Sequence, residues 1–131
     1  MLRQFPPTRA ARLFGAAFAA AGVAGFVPNP VLGPEGLFVA NTAHNLVHLA
    51  TAGLFFWTAA LGERAALLFT QSFGVVYLLV GALGFAFLGG ASEGHLLGVV
   101  HINQADNLLH LGLGALLAAA GFLAERRPAT A

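Results

Sequence analysis

Two segments of this 131-residue chain set polar side chains at helical spacing inside long apolar runs. They are Asn41-x-x-His44-Asn45-x-x-His48-Leu49 and Asn103-x-x-Asp106-Asn107-x-x-His110-Leu111. On a helix, residues three, four and seven apart share one side, so each set of four polar groups lies on a single face about 100° wide. Two donors four apart can reach one ion, and two such faces brought together offer the imidazoles of His44, His48 and His110 and the carboxylate of Asp106. Three nitrogens and one carboxylate suit a divalent metal, Zn²⁺ or Fe²⁺ ahead of Cu²⁺. The neighbouring amides of Asn41, Asn45, Asn103 and Asn107 would then hold the ligands in orientation. His48 and His110 could instead be the two axial ligands of a haem, in a slot between Phe55, Phe56, Gly112 and Gly114. One Asp among three His also permits a metal-free proton relay. Hydrogen bonding alone is a further reading: Asn and His cross-link membrane helices at about 0.6–2 kcal/mol each, and Asn41 and Asn103 sit where helix N-caps belong. The chain has no cysteine, which excludes disulfides, thiolate nucleophiles, cysteine-ligated zinc and iron–sulfur clusters.

What must position these residues follows from composition. Hydrophobic residues make up 58% of the chain and charged residues 8%, and the mean hydropathy is +0.80. A soluble domain carries about 25% charged residues, so this chain has too little polar surface to cover a water-facing globule. The expected fold is an all-α integral membrane protein. Four apolar stretches are long enough to cross a bilayer core that takes about 20 helical residues: Ala10 to Val27, Leu37 to Leu61, Ala65 to Leu88 and Val99 to Leu123. Membrane-spanning strands would be about half that length and alternate in polarity. Pro28-Asn29-Pro30, Gly62-Glu63-Arg64 and Gly89-Gly90-Ala91-Ser92-Glu93-Gly94 punctuate the breaks. A net charge of +1 argues against nucleic acid as a partner.

The sequence also repeats itself. Phe14-Gly15-x-x-Phe18-x-x-x-Gly22-x-x-Gly25-Phe26 returns 59 residues later as Phe73-Gly74-x-x-Tyr77-x-x-x-Gly81-x-x-Gly84-Phe85. The two polar motifs are offset by 62, as are Gly36 and Gly98. We therefore expect a single domain over 1–131 made of two parallel two-helix repeats, at about 10–61 and 65–123, related by a pseudo-twofold along the membrane normal. That axis would bring the second and fourth helices together at the motif face, with the first and third outside. Paired glycines on the first and third helices would allow close packing where lipid gives no hydrophobic drive. Arg3, Arg9, Arg12, Arg64, Arg126 and Arg127 fall at one side, and the longer loops hold Glu35 and Glu93. The positive-inside rule puts both termini in the cytoplasm. An arginine-led apolar start could be a secretory signal, but its internal counterpart marks it as a retained span. His95 and His101 break the repeat and are expected at the solvated interface, whereas Tyr77 and Trp57 need only packing roles.

The doubled motif on four spans with arginine-rich ends resembles a group of small bacterial membrane proteins known as a domain of unknown function. The resemblance covers nearly the whole chain. It implies a bacterial inner-membrane protein and points to the same polar residues. Three function classes remain: an intramembrane metal or cofactor protein, an accessory subunit of a larger membrane complex, and a small transporter or proton pathway. An enzyme acting on a lipid-soluble substrate at the metal is one form of the first. Helices one and three offer little polar path beyond Thr70, Gln71 and Ser72, which ranks the third class last. Lipid is the expected surrounding, with a homo-oligomer or larger assembly open as protein partners.

Overall fold

Capping residues and glycines mark most of the element ends. In the computed structural model, which describes residues 5–125, Pro7 opens α1 (Pro7–Ala24) at the position where a missing N–H costs nothing. Asn41 caps α2 (Thr42–Leu61), its side chain accepting from the backbone N–H of His44. Gly62, at φ +115°, turns the chain directly into α3 (Glu63–Leu88). Asn103 precedes α4 (Gln104–Glu125), and its Oδ1 accepts from the Asp106 N–H at 2.9 Å.

Between these helices lie two small sheets. β1 (Leu32–Gly33) pairs in parallel with β2 (Phe38–Val39), and β3 (Glu93–Leu96) pairs antiparallel with β4 (Val100–Asn103). Leu97 and Gly98, at φ +54° and +76°, close the second hairpin. The expectation of helix from Leu37 and from Val99 therefore fails at both starts. Strand occupies Phe38–Val39 just before the first cap and Val100–Asn103 at the second, because an N-cap holds β-region dihedrals and the chain leading into it pairs as strand.

α1 packs along α2, and α3 along α4. Gly22 of α1 meets Leu49 and the Asn45 carbonyl, and Gly81 of α3 meets Leu111 and the Asn107 carbonyl. A Cβ at Gly74 would run into the backbone of Ala118, so this contact of α3 with α4 requires glycine. Between the two pairs lies an aromatic core. Phe18 stacks on Phe55 at 5.7 Å and meets Phe73 and Tyr77 edge-on. Thus α1 and α3 are not peripheral as expected; their rings fill the centre below the polar motif, while α2 and α4 meet through side chains.

Thr8 of α1 hydrogen-bonds Glu63 through both its N–H and its hydroxyl, placing the start of α1 beside the α2–α3 turn. Arg9, Arg12 and Arg64 lie at that end, and the sheets and polar motifs at the other. Arg3, Arg126 and Arg127 lie outside the described residues. Helix α3 and residues 104–124 of α4 are long and apolar enough to cross a membrane, with only 33% and 28% of their apolar windows buried. The core helix of a water-soluble protein would be mostly buried, so these two fit lipid better. Arginines in α1 and the imidazoles and amide in α2 lower the hydropathy of those helices.

Candidate metal centre

His44 and His48 stand one turn apart on α2, with ring centroids 4.6 Å from each other. His110 reaches them from α4, its ring 6.1 Å from that of His44. All three are buried, with exposures of 3%, 8% and 6%. Each offers one ring nitrogen, and these three atoms lie within 4.8 Å of one another. Three neutral nitrogen donors at this separation, enclosed by protein, are close enough to bind one metal ion.

The surrounding bonds assign the rings. His44 Nδ1 lies 2.7 Å from the carbonyl of His101; a carbonyl only accepts, so Nδ1 carries the proton and Nε2 keeps its lone pair. A ligand imidazole whose other nitrogen is held in this way is the usual arrangement at metal sites. His48 Nδ1 and His110 Nδ1 are buried and have no hydrogen-bond partner among the described residues. Unpaired buried nitrogens cost about 1–3 kcal/mol each, and here two occur at positions related by the 62-residue offset.

Asp106 is buried at 3% exposure and lines a cleft shared with the three histidines, but it is not one of the three clustered donors. Its Oδ2 accepts from the Asn103 N–H at 2.9 Å while Asn103 Oδ1 accepts from the Asp106 N–H, a reciprocal capping box. The backbone of Val39 also hydrogen-bonds this carboxylate. Val39 and His101 are themselves related by 62, so His44 and Asp106 each bond the strand of the opposite half.

The four asparagines divide in two. Asn41 and Asn103 cap their helices, and each reaches across: Asn41 Nδ2 donates to the Val99 carbonyl at 2.7 Å, and Asn103 Nδ2 to that of Leu37 at 2.9 Å. Asn45 and Asn107, 2% and 0% exposed, turn instead to Gly25, which caps the end of α1, and to Gly84 of α3. A Cβ at Gly25 would overlap Asn45 Oδ1, and one at Gly84 would overlap Asn107 Oδ1. Neither amide oxygen has a hydrogen-bond partner among the described residues.

Two residues of the site were not expected from the sequence. Tyr77 meets His110 edge-on at 4.9 Å, and Phe18 lies 5.8 Å from His48. They occupy equivalent positions in the glycine-rich block, and the hydroxyl that distinguishes them was the available signal. His101 enters through its carbonyl; its ring, expected to be solvated, is only 15% exposed, stacked on His95 and 3.4 Å from Glu93.

Residues 8–123 match a sequence family described as Domain of unknown function (DUF4383). No curated protein and no solved structure matches the chain.

Proposed function

The chain belongs to this DUF4383 family, and from that premise we propose that it is a bacterial inner-membrane protein of four spans whose His44, His48 and His110 hold one divalent metal ion. The observation that carries this reading is the trio itself: three buried imidazoles with ring nitrogens within 4.8 Å, one with its tautomer set by a backbone carbonyl and two with nitrogens that have no partner among the described residues. A tetrahedral Zn²⁺ with bonds of about 2.0–2.1 Å needs its nitrogens about 3.3 Å apart, so small ring rotations would close the site. Zn²⁺ or Fe²⁺ fits an all-nitrogen set with an open position. Asp106 then serves as counter-charge, since its carboxylate is already engaged by backbone N–H groups. Haem is the poorer fit, because its ring would have to lie between His48 and His110, where the His44 ring packs against His48.

The membrane reading draws on all four helices. Leu13 and Val23 of α1, and Trp57 and Leu61 of α2, are as exposed as Leu79 of α3 and Leu116 of α4. Apolar side chains exposed on every helix suit a lipid surround. Crossed asparagine bonds and paired glycine contacts support two parallel repeats about a pseudo-twofold, with the arginine end in the cytoplasm.

Metal analysis of the purified full-length protein tests the site. Wild type should carry about one ion per chain, and His48→Ala and His110→Ala should carry none while still inserting in the membrane. If wild type holds no stoichiometric metal and both variants lose only thermal stability, the imidazoles are structural hydrogen-bonding groups.

A further inference from the structure

A cleft of about 190 Å³ descends between α1 and α4 to the imidazoles. Ala17 and Ala21 of α1 and Leu109 and Leu113 of α4 line it, together with Asp106, Tyr77 and the three histidines. Ala17 and Leu109 are exposed, on the same helix faces as the exposed Leu13 and Leu116. In a four-span bundle those faces meet acyl chains, so the cleft opens sideways into the bilayer. The 59-residue offset puts Val76 and Val80 where α1 has Ala17 and Ala21. Small side chains therefore make room on this side of the pseudo-twofold, where its counterpart carries branched ones.

Charge specifies what could enter. Three neutral imidazoles leave a divalent ion its full charge, and Asp106 offsets one unit of it. One positive charge remains in a low-dielectric site, where an unbalanced charge is costly. A three-histidine ion also keeps a free coordination position. The matching ligand is a monoanion with an oxygen donor, joined to a chain as apolar as the cleft wall. The Tyr77 ring stands edge-on to His110 at 4.9 Å and brings a hydroxyl-bearing side chain to the cleft lining.

We propose that the cleft admits, from the bilayer, a single-chain fatty carboxylate whose oxygen takes the open position on the metal; this rests on the metal reading above. A two-chain phospholipid would bring a second chain that this cleft does not provide for. A short water-soluble carboxylate would leave the apolar walls unfilled.

The test uses full-length protein in lipid nanodiscs loaded with Co²⁺, whose visible bands report its coordination, and titrated with palmitate, 1-hexadecanol and hexadecane. Palmitate should shift the bands saturably, and the alcohol and the alkane should not. Ala17→Phe should bind Co²⁺ as wild type does but palmitate about tenfold more weakly or worse. Should Ala17→Phe fail to take up Co²⁺, Leu109→Trp on the exposed rim replaces it, with the same expectation. Co²⁺ bands that ignore palmitate, that respond equally to 1-hexadecanol, or that respond undiminished in the rim variant would overturn the carboxylate proposal and leave the metal site standing. A wild type that takes up no Co²⁺ would overturn the metal reading itself.

Discussion

At the scale of single residues, environment separates side chains that the sequence presents as equals. Asn41 and Asn45 belong to one motif, yet the first bonds across the molecule and the second presses its amide oxygen against Gly25. The same division holds for Asn103 and Asn107. Gly25→Ala and Gly84→Ala should each therefore destabilise the protein by about 1–3 kcal/mol, the usual cost of overpacking a tight contact. Thermal denaturation in detergent measures this, and alanine at the open Gly53, where a Cβ meets nothing within 4 Å, is the control. Asp106 differs from the histidines in having its carboxylate bonded to backbone N–H groups. Asp106→Asn should keep a measurable metal content with weakened affinity, whereas His48→Ala and His110→Ala abolish it; metal titration of the three variants separates a counter-charge from ligands.

At the scale of elements, the helix starts are where the site is assembled. Each cap is a junction, because one asparagine lies at or just after the end of a strand, begins a helix and ties it to the opposite half through Val99 or Leu37. Loss of an N-cap costs about 1 kcal/mol, and loss of the crossed hydrogen bond adds about 0.5–1.5 kcal/mol. Asn41→Ala should accordingly lower stability by about 2 kcal/mol while metal is still bound, which calorimetry with parallel metal analysis would show. The β3–β4 hairpin has a second duty, since the carbonyl of His101 orients His44. His101→Ala keeps that carbonyl and should leave metal binding nearly intact. Shortening the hairpin by deleting Leu97 and Gly98 should shift β4 and weaken metal binding, as read by the same titration.

At the scale of the whole molecule, two tightly packed helix pairs enclose an aromatic core and meet at a polar cap on one side. Thr8 and Glu63 tie the other end. This polarity gives the proposed topology a direct check. A single cysteine at Gly33 or Ala91 should react from outside intact cells with an impermeant thiol reagent, and one at Gly62 should not. Labelling at Gly62 alone would invert the orientation.

The sequence by itself determined the helices, their number and the residues of interest. Apolar length, Gly and Pro punctuation and the doubled motif are local signals, and helical spacing alone puts His44 with His48 and Asp106 with His110. It also marked Asn41 and Asn103 as caps. Only the tertiary structure decided how these faces meet. The short strands before α2 and α4 were invisible because their pairing partners, Leu32 with Phe38 and Glu93 with Asn103, count only once the chain has folded back. Periodicity likewise says that Asn45 and His48 share a face, but not that one amide turns to a glycine while the imidazole turns to two others. Those choices depend on which backbone approaches within van der Waals contact and which carbonyl stands within hydrogen-bonding range. Such distances run between residues dozens of positions apart, and a residue's neighbours in sequence do not carry them.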